Sequence, residues 1–392
     1  MNRAVLHIDV NSAYLSWTAV EMKKNGEAGD IRLVPAAIAG DPGTRRGIIL
    51  AKSEPAKKCG IRTAMTVAEA FRLCPDLKVF PPRHELYAAY SERLFELLSE
   101  YTDVIERFSI DECWLDYTGS EKLFGPPREA ATDISRRIKE QLGYTVNIGV
   151  SENKLLSKMA SEMRKPDRIH TLYRHEIEEK MWPLPTGELF GVGNAAADTL
   201  AKIGLVTIGD IAGTDISVLK SILKPAVGQM VYERANGIDD SPVLTSEENE
   251  RKGIGKSVTT PRDVGSEEEA SRILLSLSEQ VGFSLRDSGK RAGVVSVQLK
   301  NTVFKTYRHQ KKLPGPISST SDIYAIARAL FYEMWRGENL RLLGVSLSDL
   351  RDMDENEQLT LFDEPKNNAL EETQDYIRER FGKGAITRGT LL

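Results

Sequence analysis

Asp9 closes the apolar run Ala4-Val5-Leu6-His7-Ile8, and about a hundred residues later Ser109-Ile110-Asp111-Glu112 follows the β-rich run Val104-Ile105-Glu106-Arg107-Phe108. Adjacent acids at that point break the alternation of side chains along a strand, which predicts a strand turn. Three carboxylates brought together in this way suit a pair of Mg²⁺ ions, because hard divalent cations take oxygen ligands and Mg²⁺ combines one or two carboxylates with substrate phosphates. Two such ions roughly 3.5–4 Å apart clamp the attacking and the leaving oxygen of a phosphoryl transfer. The chemistry indicated is that of nucleotides, and by itself it allows a nuclease, a cyclase or a polymerase.

These acids need strands to carry them. In the first 165 residues, strand-like runs fall at 4–10, 32–39, 46–51, 103–108, 112–117 and 145–150, and helical patterns at 12–24, 66–73, 84–101, 128–142 and 153–163. The mixture predicts an α/β or α+β region, closed by Lys165-Pro166-Asp167. Residues 166–235 read as short helices. There Phe190-Gly191-Val192-Gly193-Asn194, followed by Leu200 and Ile203-Gly204-Leu205, reads as a helix–hairpin–helix or as a glycine-rich turn between packed helices. In the first case the backbone N–H groups around Gly191 and Gly193 can hold a phosphate oxygen. The polar stretch from Gly237 to Arg251 is an expected linker. Beyond it the pattern runs strand (253–260), helix (266–286), strand (292–300), strand (303–311), helix (320–335), strand (341–348). That βαββαβ order predicts a ferredoxin-like unit.

The chain has 392 residues, too many for one core, so two to four domains are expected. No apolar run approaches the roughly 20 residues of a membrane span, and no export signal is read at the N-terminus. Cys59, Cys74 and Cys113 form no Cys-x-x-Cys pair, which points to a reducing cytoplasm and away from structural zinc. The net charge of −4 does not mark a nucleic-acid binder. Its distribution is more informative: residues 251–350 carry 16 Lys and Arg against 10 Asp and Glu, whereas residues 351–392 carry 6 against 10. Basic residues that fall partly on those strands, Arg291, Lys300, Lys305, Arg308, Lys311 and Lys312, meet phosphates or simply solvate a sheet face.

Taken together, Ile8-Asp9-Val10-Asn11-Ser12-Ala13-Tyr14, Arg45-Arg46-Gly47-Ile48-Ile49, Gly60-Ile61-Arg62, Ser109-Ile110-Asp111-Glu112 and Asn153-Lys154 to Lys165-Pro166 resemble the Y-family DNA polymerases, in order and spacing over about 350 residues. The resemblance implies an α+β multidomain right hand. Its parts are a palm (1–11 and 78–165), fingers (12–77), a helix–hairpin–helix thumb (166–236), a linker (237–250), a βαββαβ little finger (251–350) and an acidic tail (351–392). It implies low-fidelity, template-directed synthesis across damaged DNA, with two Mg²⁺ per site, primer-template DNA and dNTPs as substrates, a monomeric state and a cytoplasmic location. Asp9, Asp111 and Glu112 match the family's metal carboxylates, with the backbone carbonyl of Val10 a further ligand. Lys158 matches a triphosphate-binding lysine or is an exposed helix lysine. Tyr14 stands at the steric-gate position that excludes a 2′-hydroxyl, unless it is a core tyrosine.

The chain departs from the family in the fingers, where Ala51, Glu54 and Lys57 stand in place of Thr, Tyr and Arg. Lys57 keeps a charge for the nucleotide but loses the bidentate fork, and Glu54 sets a negative charge near phosphates. Lys300, Lys305 and Arg308 are the expected DNA contacts of the little finger, joined by Gly191 and Gly193 of the thumb. In the tail, Gln358-Leu359-Thr360-Leu361-Phe362 resembles the peptide that binds the sliding clamp (its beta subunit). Leu361 and Phe362 would enter an apolar pocket and Gln358 would fix orientation; an amphipathic tail packed on its own protein is the other reading. Two rival functions remain at this level: a non-catalytic family scaffold that binds DNA and clamp, and a two-metal nuclease.

Overall fold

The run that ends at Asp9 forms β1 (Val5–Val10), buried throughout except for partial exposure at Asp9. The computed structural model describes residues 3–41, 43, 45, 47–245, 248, 252–353, 369–382, 385–386 and 388–389. Its contacts separate two units, Met1–Pro42 with Gly47–Asn249 and Gly43–Arg46 with Glu250–Leu392.

In the first unit β1 is followed by β2 (Ala36–Ala39), β3 (Ile49–Lys52), β4 (Lys78–Phe80), β5 (Ile105–Arg107), β6 (Glu112–Asp116), β7 (Val146–Ser151) and β8 (Ile169–Thr171). They build a five-stranded sheet of order β5-β6-β1-β7-β8 and a three-stranded sheet of order β3-β2-β4. Alternation along β1 sends Leu6 and Ile8 into a core shared with Leu115, Ile148, Leu94 and Leu98 of the helix His84–Ser99, and Ile134 of the helix Pro127–Arg137. The opposite face carries His7 and Asp9, paired in register with Trp114 and Glu112 of β6. Slipping this register by one residue would turn Leu6 and Ile8 out of the core, at about 1.5–3 kcal/mol for each side chain lost. The hydrophobic core therefore fixes which carboxylates meet.

The helix Lys154–Glu162 covers that second face. Its first turn is capped by Asn153, whose side chain accepts a hydrogen bond from the Leu156 amide at 2.8 Å. It lies so close to β7 that a Cβ on Gly149 would stand 1.9 Å from the Ser157 carbonyl oxygen. Only glycine allows this approach, and the approach brings Lys158 over β6.

Several local expectations need correction. The run 32–39 is not one strand: Ile31–Leu33 is a 3₁₀ turn, because the Asp30 side chain accepts from the Arg32 amide, and β2 begins only after Pro35. The helix expected at 128–142 is an α-helix only to Arg137 and continues as a π-turn over Ile138–Leu142. Strands β4 and β8, three residues each, carry too little alternation to be read from sequence. Residues 177–235 form short helices as expected, with Gly191 in the left-handed region (φ 87°) and Gly193 at the start of the helix Asn194–Ala201.

The second unit follows the expected βαββαβ order: β9 (Gly253–Val264), helix Glu267–Asp287, β10 (Lys290–Asn301), β11 (Thr306–Ile317), helix Thr320–Met334 and β12 (Leu340–Asp352). The all-antiparallel sheet runs β11-β10-β12-β9, so β12 splits the β9–helix–β10 crossover. Val295, Val297 and Leu299 face the helices, with Leu274, Val281 and Phe331. The other face is open and carries small polar residues.

A longer element was also not expected. Within the region read as an acidic tail, Ala369–Phe381 is a helix. Arg286 holds Asp375 at 2.6 Å, the Thr320 amide donates to Glu371 at 2.7 Å, and Arg378 and Arg388 both reach Glu279. It docks through charges while Leu370, Tyr376 and Phe381 stay exposed, so no amphipathic stripe announces it.

Candidate active site

Asp9 at the end of β1 and Glu112 at the start of β6 are neighbours across the ladder, on the face covered by the helix Lys154–Glu162. Both carboxylates are largely buried, with 17% and 15% of their side chains exposed. The helix answers with cations. The Lys158 ammonium donates to Glu112 and, at 2.8 Å, to Glu162 one turn on. Lys165 reaches Asp9 at 2.8 Å and the other oxygen of Glu162 at 2.9 Å. Beneath them His7 is fully buried, its Nδ1 2.8 Å from the Ser161 hydroxyl and its Nε2 3.6 Å from Glu112.

Burial pushes the Asp9 carboxyl up to about 6, against the opposing pull of Lys165. Burial also lowers His7, with Lys158 and Lys165 adding to it, so the imidazole is neutral. Burial alone would lower the pKa of Lys158 and Lys165, but their carboxylate partners outweigh it and raise both.

The expected trio is only partly assembled. Asp9, Glu112 and Glu162 each offer an oxygen within 4.8 Å of the others, among the described residues. Asp111 lies outside that group: its carboxylate accepts from the Ser109 hydroxyl at 2.6 Å, while its carbonyl receives the Val10 amide at 3.0 Å. Its charge is still felt next door, where burial first and Asp111 second raise the Tyr14 phenol. A compact set of carboxylate oxygens is the donor chemistry a hard divalent cation takes, so the residues present fit such an ion. Glu162 and Lys165 were not anticipated as members. The signal was available, since Lys158 and Glu162 are four apart on one helix face and Lys165 follows three residues later.

Asp9 opens onto a cleft of about 330 Å³ whose walls include Ser12, Lys52, Glu54, Lys57 and Lys165. Lys158, 7% exposed, lies below the cleft and does not line it. Glu54 is paired with Lys57 at 3.8 Å, so its charge is partly neutralised in place. Burial and the like charge of Lys57 lower the pKa of Lys52. Tyr14 is half-buried on the first helix and stacks on Tyr87 with ring centroids 4.3 Å apart.

The remaining expected contacts lie elsewhere. Gly191 packs beside Arg234, whose guanidinium donates to the Phe190 carbonyl at 2.7 Å. In the second unit, Lys300 on β10 and Arg308 on β11 alternate onto the open sheet face, with Arg308 held by Gln298 at 2.8 Å. Lys305 sits in the turn between those strands, over the Tyr307 ring. The open face forms a shallow cleft lined by Gly255, Ser257, Ser296, Gln298, Arg308 and Ser346. Gln358, Leu361 and Phe362 lie outside the described residues. Among the described residues no helix is long and apolar enough to cross a membrane.

Comparison with known proteins places this geometry in context. Residues 8–162 match the model of the impB/mucB/samB family, and residues 251–361 match the impB/mucB/samB family C-terminal domain. The chain is 46% identical to DNA polymerase IV of Clostridium acetobutylicum, covering 100% of this chain and 99% of that one. It is 37% identical to DNA polymerase IV 2 of Bacillus subtilis, covering 100% and 95%. Among solved structures, a Y-family DNA polymerase chimera superposes with a TM-score of 0.77 at 24% identity, covering 88% of this chain and 99% of that one.

Proposed function

The chain belongs to the impB/mucB/samB family, the Y-family of DNA polymerases, and from that premise we propose that Asp9 and Glu112 anchor a two-metal centre for nucleotidyl transfer. It is a DNA-directed DNA polymerase of the translesion class, acting on DNA and dNTPs with a divalent metal. The observation that carries the metal reading is the in-register pairing of Asp9 with Glu112, with a third carboxylate oxygen within 4.8 Å. Primer extension by carboxylate variants tests it.

Asp9, Asp111 and Glu112, with the Val10 carbonyl, would hold Mg²⁺; Asp111 would need to turn from Ser109 to join them. When bound, two such ions supply acidity at the primer 3′-hydroxyl and neutralise charge at the α-phosphate and departing pyrophosphate. Lys57 and Lys165 line the cleft and are assigned the triphosphate. Lys158 pairs with Glu112 and Glu162 beneath the cleft and is not assigned the direct triphosphate contact that the resemblance implied. Tyr14, braced by Tyr87, is assigned the gate under the sugar.

The five-stranded sheet is read as palm, the three-stranded sheet with its helices as fingers, residues 166–236 as thumb and the second unit as little finger. Lys300, Lys305 and Arg308 then grip the DNA backbone, and Gly191 and Gly193 offer thumb amides to a phosphate. Such contacts carry no sequence information, and shape differences in an open pocket are worth only about 1–3 kcal/mol. Low fidelity follows from the open pocket. The peptide 358–362 is read as a sliding-clamp anchor, and the chain as a cytoplasmic monomer. Kinship with DNA polymerases IV favours polymerase over nuclease or scaffold.

A further inference from the structure

Glu112, Lys158, Glu162, Lys165 and Asp9 form one continuous chain of alternating charge. Lys158 bridges Glu112 and Glu162, and Lys165 bridges Glu162 and Asp9. Glu162 is the middle link, and its two oxygens serve one ammonium each. The spacing follows from the fold: Lys158 and Glu162 are one turn apart on the helix Lys154–Glu162, and Lys165 lies three residues beyond its end.

A divalent cation binding to Asp9 and Glu112 has to take the places that two ammonium groups occupy. Lys158 is 7% exposed and cannot turn to water; a buried charge stripped of its partner is strongly destabilising. The remaining carboxylate that both ammonium groups already touch is Glu162. We propose that Glu162 is a positioning residue for the metal centre, retaining Lys158 and Lys165 when a divalent cation displaces them from Glu112 and Asp9. It thereby keeps the two carboxylates available. This rests on the reading of Asp9 and Glu112 as metal ligands.

The test is Mn²⁺ binding to the full chain without DNA or nucleotide, followed by electron paramagnetic resonance. Removing groups that support metal ligands typically costs about 10–100-fold in affinity, and Glu162→Gln is expected to weaken Mn²⁺ binding by about tenfold, at the low end of that range. Glu162→Asp, which keeps the charge, recovers most of the loss. Glu162 is 45% exposed at the end of its helix, so the Gln variant retains its contacts with solvent, and a thermal melt in chelator verifies the fold. In a Lys158→Met/Lys165→Met background the further change Glu162→Gln is expected to have no effect, because the groups it acts through are gone. An equal loss in that background shows Glu162 to be a direct ligand and overturns the proposal. So does wild-type affinity in Glu162→Gln when Asp9→Asn has lost binding. If Asp9→Asn binds Mn²⁺ as wild type does, the metal reading itself fails, and the proposal with it.

Discussion

Lys165 donates to Asp9 at 2.8 Å, yet burial still lifts the Asp9 carboxyl to about 6. The attraction of one ammonium does not repay the lost hydration of a side chain set at the end of a buried strand. Asp9 therefore competes with protons near neutrality. Because its folded value lies above the ordinary one near 3.8, the folded state holds the proton over the range from about 4 to about 6. This group's contribution to stability is fully present below 4 and is lost as pH rises through 6. Metal binding, which needs the carboxylate, runs the other way. Mn²⁺ affinity is expected to rise as pH increases from 5 to 7, with an inflection near 6. An inflection at the ordinary carboxylate value near 4 would contradict the burial of Asp9.

Tyr14 packs face to face on Tyr87, with its ring fixed at the start of the first helix. Replacing it by Ala is expected to let ribonucleotides enter, reducing discrimination between dNTP and rNTP by at least about tenfold, the lower end of what pocket shape supplies. Tyr14→Phe keeps the ring and should discriminate as wild type does. Steady-state incorporation of matched dNTP and rNTP pairs measures this; equal exclusion by wild type and the Ala variant removes Tyr14 from the gate.

Lys300 and Arg308 stand on the open face of the second unit's sheet, Arg308 beside Ser296 and Gln298. If they meet phosphates, Arg308→Ala and Lys300→Ala each weaken duplex binding for every sequence alike and lower the salt slope by about one. Binding isotherms at several salt concentrations read both quantities. An unchanged slope would return these cations to an ordinary solvated face.

Deleting residues 358–362 should reduce processivity in reactions that contain sliding clamp and leave clamp-free synthesis nearly unchanged. Equal loss in both reactions would refute the clamp reading.

Much of this protein was legible in its sequence because the relevant signals are local. The apolar run ending at Ile8 placed Asp9 at a strand end, and the βαββαβ rhythm read over residues 253–348 follows directly from strand and helix periodicity. What could not be read depends on side-chain direction and on docking by charge. Asp111 is adjacent to Glu112 in sequence, but Ser109 turns its carboxylate aside. Glu162 enters the carboxylate group through a helix whose close approach depends on Gly149. Lys158 was expected at a triphosphate and is buried against Glu112, because the strand register carries that acid under the helix. The helix Ala369–Phe381 went unseen because Glu371, Asp375 and Arg378, rather than apolar residues, hold it.

The central claim is that Asp9 and Glu112 form the metal centre of a template-directed polymerase. Primer extension by the full chain with Mg²⁺ and dNTPs tests it most directly, comparing wild type with Asp9→Asn, Asp111→Ala and Glu112→Gln at matched thermal stability. Template-matched elongation by the wild type and none by the three variants is expected. Elongation that survives these substitutions, or primers that shorten instead of lengthening, would contradict it.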